Sequence, residues 1–217
     1  MSGPIRRLGR LPDMATWWPA DVVLFTPYGD ESRKSTLVKD VQHRLGHARY
    51  HAHWTHAALY VGHGLVVNVT NDDPVDGNKV VLKHVTDFVL RANFRVRRNL
   101  KLRDDQRAAI VRRGKELADG KLRYSPTKAV AYAITSYGLR GDRIRRSIDF
   151  FEGVVCSDIV SIAYSGGLRR RPMFMSPSGL AVLPATLSES ASLHDIEVSW
   201  CAIPSSQLSP DSQAGRL

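Results

Sequence analysis

The sequence contains no apolar run close to the roughly 20 residues that a membrane-spanning helix requires. Its N-terminus is basic but lacks the apolar h-region of a signal peptide. We therefore expect a cytoplasmic protein, with export by a signal-independent route as the alternative. Cysteine is scarce as well. Two thiols, Cys156 and Cys201, are too few for a disulfide framework, and we expect both to be reduced.

Acidic residues are outnumbered by basic ones. The chain has 31 Lys and Arg against 21 Asp and Glu, which gives a net charge of +10. This charge favours anionic partners, such as an anionic surface or a wall polymer. The basic residues are spread out, however, without the interleaved aromatic residues of a nucleic-acid reader, so we expect no specific nucleic acid. Solvated surface charge is the simpler interpretation.

The chain shows no internal repeat and no long linker, and its 217 residues are enough for one domain with a full core. We expect an N-terminal arm over 1–17, a single domain over 18–203 and a disordered tail over 204–217. Apolar patterns predict strands over 21–26, 80–85, 92–98 and 197–203. Helical spacing predicts helices over 31–45, 104–119, 126–137 and 153–164, the last closed by Gly166-Gly167.

The most informative stretch is Thr55–Thr70, THAALYVGHGLVVNVT, which predicts two short strands joined by a tight turn at Gly62–Gly64. His56 opens the first strand, and Asn68 lies near the end of the second. Because a hairpin folds its strands side by side, we expect the imidazole and the carboxamide to be in contact. A general base and the group that orients it need this geometry.

The nucleophile that such a pair would serve is Cys156, in EGVVCSDIV. The pattern places it in the first turn of a helix, where unpaired N–H groups and the helix dipole stabilise a thiolate and can hold an oxyanion. Cys156, His56 and Asn68 have the composition of a Cys-His-Asn triad. Each also has a purely structural interpretation. Cys156 would be a small buried hydrophobe, His56 a histidine at a strand end, and Asn68 an amide that bonds to the backbone of a turn. We expect Asp158 to support a loop or the helix start, and Cys201 to be structural.

In the chain order His56, Asn68, Cys156, these residues resemble the circularly permuted branch of the papain-like (NlpC-type) cysteine hydrolase superfamily, in its YiiX-like and lecithin:retinol acyltransferase-like forms. The segments that carry the resemblance are ADVVLF, THAALYVGHGLVVN, GKLRYSP, VVCSDIVSIAY and SPSGLAVLPATL. Ala20 stands where the family has glycine, and Asn68 stands where such relatives often have His or Glu.

The resemblance implies an α+β fold, a permuted papain-like antiparallel sheet of about five strands packed against helices that include the Cys156 helix. It implies a cysteine hydrolase in which Cys156 attacks a carbonyl, His56 transfers the proton and Asn68 orients His56. No cofactor and no metal are implied. The expected substrate is an amide of a peptide or peptidoglycan fragment. A lipid acyl substrate, hydrolysed or transferred, is the alternative, and the oligomeric state stays unknown.

Two other classes of protein remain open. His51, His53 and His56 follow the outline of the HxHxDH zinc motif, although Thr55 occupies the position of its aspartate. A zinc hydrolase that uses this histidine cluster is one alternative. A non-catalytic binding module that keeps the same scaffold is the other.

Overall fold

The structure is a computed structural model, and it describes residues 10–27, 33–69, 77–89, 92–120, 122–125, 127–129, 153–169, 174 and 182–202. Its strands are β1 (Arg10–Pro12), β2 (Val22–Pro27), β3 (His56–Gly62), β4 (Leu65–Val69), β5 (Val80–His84), β6 (Ala92–Arg98), β7 (His194–Ile196) and β8 (Trp200–Ala202). Its helices are α1 (Arg33–Arg44), α2 (Arg49–Ala52), α3 (Thr86–Val89), α4 (Asp104–Asp119), α5 (Cys156–Leu168) and α6 (Pro184–Glu189). Most of the helix predicted over 126–137 and the whole tail over 204–217 lie outside the described residues.

The main sheet is antiparallel throughout, so the chain is an α+β protein. Within the described residues it has six strands in the spatial order β5-β4-β3-β2-β6-β7, and β1 pairs with β8 in a separate two-stranded sheet. The predicted strand over 197–203 is wrong in its bounds, because the chain pairs at β7 and again at β8. These strands are only three residues long, and the HDI sequence of β7 carries one apolar residue, too few for an alternating pattern.

One face of the sheet is covered by α4 and α5. The core on this face contains Leu24 and Leu59 from the strands and Ile110 and Ile159 from the helices, and all four side chains are fully buried. Burying each such side chain contributes about 1.5 to 3 kcal/mol. This packing holds α5, and with it Cys156, against the strand that begins at His56.

The opposite face is covered partly by the beginning of the described chain. Trp17 packs with Phe25 and Val96 in a second core cluster, and its ring lies edge-on to Tyr60 with centroids 5.4 Å apart. The residues from Arg10 to Trp17, which the sequence analysis assigns to an arm, therefore supply one strand and one core side chain.

The central hairpin forms as predicted from β3 and β4. Its turn residues Gly62, His63 and Gly64 all have positive φ, at 95°, 53° and 73°. Glycine adopts this left-handed backbone without steric cost, which explains its presence at two of the three positions. Strands β2, β5 and β6 also begin and end within one residue of their predicted bounds.

Helix α5 does not end at Gly166-Gly167, so that prediction is wrong. A Cβ atom at Gly167 would lie 2.7 Å from the Cα of Ile110, and one at Gly166 would lie 3.2 Å from the side chain of Arg113. The two glycines therefore allow α4 and α5 to approach closely. The helix instead ends at Leu168, and Arg169, whose φ of 51° is left-handed, follows as its C-cap.

Three short helices, α2, α3 and α6, were not predicted. They are four to six residues long, which is too short for an apolar periodicity to be recognised. In the part of the chain that the structure describes, we find no helix with the length and apolarity needed to span a membrane.

Candidate active site

His56 and Asn68 are in direct contact, as the hairpin pattern predicts. The Nε2 atom of His56 lies 2.5 Å from the Oδ1 atom of Asn68. Val67 lies opposite Leu59 across the hairpin, so the next residue, Asn68, lies on the face of the sheet that carries His56. A carboxamide oxygen can only accept a hydrogen bond, so Nε2 is the donor in this contact. The other ring nitrogen, Nδ1, remains for a different partner.

Cys156 is the first residue of α5 and is 8% exposed. Its sulfur accepts the backbone N–H of Ala57 and shares a hydrogen bond with His56. Because Asn68 engages Nε2, the ring nitrogen that faces the sulfur is Nδ1. The start of one helix and the first two residues of one strand thus meet at the thiol, and a continuous series of hydrogen bonds runs from Cys156 through His56 to Asn68.

The electrostatics of the pair favour its charged form. Burial opposes charge at both groups, because it raises the pKa of the Cys156 thiol and lowers the pKa of the His56 imidazole. The mutual attraction of thiolate and imidazolium and their hydrogen bond outweigh burial. The pKa of Cys156 is therefore lowered, and the pKa of His56 is raised. Both directions favour a thiolate–imidazolium pair.

The start of α5 supplies donors as well as the thiol. The N–H groups of a first helical turn have no carbonyl to bond within the helix, and they form its positive end. Asp158 fixes this turn, because its Oδ2 atom accepts the N–H of Val155 at 3.1 Å. Ser157 fixes it from a second side by donating to the carbonyl of Val182 at 2.7 Å. Asp158 thus has the supporting position that the sequence predicts.

Two phenylalanine rings flank the imidazole of His56. The ring of Phe88 is stacked on it with centroids 6.4 Å apart, and the ring of Phe25 lies at 6.1 Å. The two phenylalanine rings are 4.9 Å from each other. The imidazole therefore has apolar aromatic neighbours. Phe88 lies on the four-residue helix α3 and was not predicted as a site residue.

Gln42 holds the chain that leads into His56. Its side-chain nitrogen donates to the carbonyls of Ala52 and Trp54 at 3.0 and 2.9 Å, and its side-chain oxygen accepts the N–H of Ala185 at 2.8 Å. Gln42 is fully buried on α1, so these bonds tie α1 and α6 to the segment before β3. No local sequence signal distinguishes this glutamine from a surface residue.

The histidines of the zinc alternative do not converge. The Nδ1 atom of His51 lies 3.0 Å from the Oγ atom of Ser188, and His53 is exposed with its ring edge-on to Trp54. Over the described ranges, no three His, Cys, Asp or Glu side chains are grouped so that they could hold a metal ion. The geometry therefore gives no support to a zinc site built on His51, His53 and His56.

Neither family models, nor curated protein sequences, nor solved structures match this chain. Fold and site together define an α+β protein with a hydrogen-bonded cysteine–histidine–asparagine series at a helix start. Any functional assignment depends on the chemistry of that series.

Proposed function

We propose that this protein is a cysteine hydrolase that cleaves an amide bond through a thioester acyl-enzyme. The observation that carries this proposal is the series of hydrogen bonds from Cys156 through His56 to Asn68, in which Nε2 of His56 lies 2.5 Å from Oδ1 of Asn68. The lowered pKa of Cys156 and the raised pKa of His56 support it, because the thiolate is the nucleophilic form and the imidazolium is the proton donor.

In the proposed reaction, the Cys156 thiolate attacks the amide carbonyl carbon, and the C=O electron pair moves onto oxygen. First-turn N–H groups of α5 donate to this oxyanion. His56 gives its proton to the departing nitrogen as the C–N bond breaks, which leaves a thioester and a free amine. Water then attacks the thioester with His56 as the base, and the acid and the thiol are released.

Asn68 acts in this scheme through His56. By accepting from Nε2, it keeps Nδ1 directed at the sulfur throughout the cycle. A neutral amide stabilises an imidazolium less than a carboxylate does, so we expect a narrower pH range of activity than an aspartate at position 68 would give.

We propose a peptide or a cell-wall peptide as the substrate, and a circularly permuted papain-like scaffold for the fold. The net charge of +10 suits an anionic substrate of this kind. The scaffold is supported by the chain order and by the packing of the Cys156 helix on the strand that carries His56. A lipid acyl ester or thioester is the second candidate. The partly buried ring of Phe88 beside His56 favours it, because such a wall can pack against an acyl chain.

Trapping the acyl-enzyme tests the proposal. Wild type, Cys156→Ser and Cys201→Ser would be incubated with peptide amides, muropeptides and acyl thioesters, and the intact protein would then be weighed by mass spectrometry. We expect turnover and an acyl adduct on Cys156 in the wild type and in Cys201→Ser, but not in Cys156→Ser. Equal turnover in Cys156→Ser would contradict the mechanism. An unreactive Cys156 with no turnover of any substrate would favour a binding module.

A further inference from the structure

We propose that Lys128 is a positioning residue that maintains the reactivity of Cys156 by neutralising Asp158, an acid in the same helical turn as the thiol. This role rests on the proposed function, since it concerns the thiolate of Cys156. Nothing in the sequence pattern connects Lys128 with the site. The connection comes from an ion pair between two separate segments of the chain.

The ion pair is short and largely buried. The Nζ atom of Lys128 lies 2.8 Å from Oδ2 of Asp158, and the two side chains are 17% and 11% exposed. The same carboxylate oxygen accepts the N–H of Val155, the residue directly before Cys156. Lys128 and the start of α5 therefore share one acceptor atom, two positions along the chain from the thiol.

The segment that carries Lys128 is fixed to the chain that enters α5. The N–H of Ser125 donates to the carbonyl of Val154 at 2.9 Å, and the Oγ atom of Ser125 accepts the N–H of Lys128 at 3.2 Å. Gly153 permits this approach. Its φ is 98°, and a Cβ there would lie 2.7 Å from the carbonyl oxygen of Arg123. These contacts hold in place the backbone from which the Lys128 ammonium reaches Asp158.

Asp158 has opposite effects on the helix and on the thiol. A carboxylate in the first turn stabilises the helix by capping it and by interacting with its dipole. The same negative charge raises the pKa of Cys156, whereas His56 on β3 lowers it, and among the described residues these are the two charged groups that act on the thiol. A cation paired with Asp158 reduces this conflict, because it leaves the capping oxygen in place and offsets part of its charge.

Four variants test this role through the pH dependence of Cys156 alkylation by iodoacetamide, followed by peptide mass spectrometry with Cys201 as the internal comparison. Lys128→Met leaves the Asp158 charge uncompensated. We expect the midpoint of the alkylation profile to rise by roughly half to one pH unit, which slows labelling roughly three- to tenfold at pH values below that midpoint. Asp158→Asn keeps an oxygen for the Val155 N–H and removes the charge, so the midpoint falls. The double variant returns close to wild type, and Lys128→Arg retains the wild-type midpoint.

A purely structural role predicts a different pattern. If the ion pair only anchors α5, both single variants loosen the helix start and shift the midpoint the same way, without recovery in the double variant; that outcome overturns the inference. Thermal melts followed by circular dichroism verify that each variant is folded. If Lys128→Met does not fold, Lys128→Gln replaces it. A low wild-type midpoint that is insensitive to all these changes refutes the role of Lys128 alone. If Cys156 is alkylated no faster than Cys201 in the wild type, and replacing His56 by alanine does not change its rate, the proposed function is refuted as well.

Discussion

Replacing Asn68 by alanine should narrow the pH range over which Cys156 and His56 form a thiolate–imidazolium pair. The substitution removes the 2.5 Å bond from Nε2 of His56 to the carboxamide oxygen, a bond that raises the pKa of His56. A hydrogen bond to a charged group contributes about 1.5 to 3 kcal/mol. His56 is partly exposed, so we take the lower end, which corresponds to a decrease of about one unit in the pKa of His56.

The sign of the effect follows from the two titrations. The ion pair forms as pH rises through the pKa of Cys156, and it is lost as pH rises further through the pKa of His56. A less stable imidazolium therefore moves down the upper limb, which is the titration of His56. The lower limb stays nearly unchanged, because His56 is an imidazolium both before and after Cys156 loses its proton. We expect the imidazole of His56 to titrate about one pH unit lower in Asn68→Ala than in the wild type.

Asn68→Asp is the matched variant for this experiment. A carboxylate at the same position accepts from Nε2 and adds a negative charge, so it should raise the pKa of His56 and widen the range upward. Both profiles would be recorded by stopped-flow alkylation and by NMR titration of the imidazole of His56. If Asn68→Ala and Asn68→Asp move the upper limb in the same direction, the coupling of Asn68 to the thiol through His56 is refuted.

Two further predictions concern the packing that places the site. Gly167→Ala should lower the free energy of unfolding by about 1 to 3 kcal/mol, because the new Cβ lies 2.7 Å from the backbone of Ile110. Gly166→Ala should lower it less, because its new Cβ contacts only the flexible side chain of Arg113. Chemical denaturation compares the pair, and equal effects would contradict the close-packing explanation. Ala20→Gly should change stability by less than about 0.5 kcal/mol, because relief of the left-handed φ of 72° offsets the flexibility that glycine adds to the unfolded chain. Ala58→Gly, at an equally buried strand position, should cost more than about 1 kcal/mol, and equal losses in thermal melts would refute the strain at Ala20.

The parts of the fold and site that could be predicted from the sequence are those fixed by local pattern. The contact of His56 with Asn68 follows from a hairpin whose turn and strands are contiguous in the chain. The position of Cys156 at a helix start follows from the apolar spacing after it.

The parts that could not be predicted depend on distant partners or on ambiguous residues. Gln42 bonds to Ala185, 143 residues away, and no local pattern contains that information. Gly166-Gly167 has the composition of a helix end, but glycine also permits close contact between helices, and only the position of α4 decides between these roles.

The bond from the Ala57 N–H to the sulfur of Cys156 has a consequence for how the chain folds. The thiol acquires its low pKa only when residues about 100 positions apart have docked, and forming such distant contacts is slow compared with local structure. In the unfolded chain, Cys156 should react like an ordinary thiol, with a pKa near 8.5. Pulsed alkylation at pH 6 during refolding would therefore time the docking of α5 onto β3. The alkylation rate of Cys156 thus reports on how far folding has progressed.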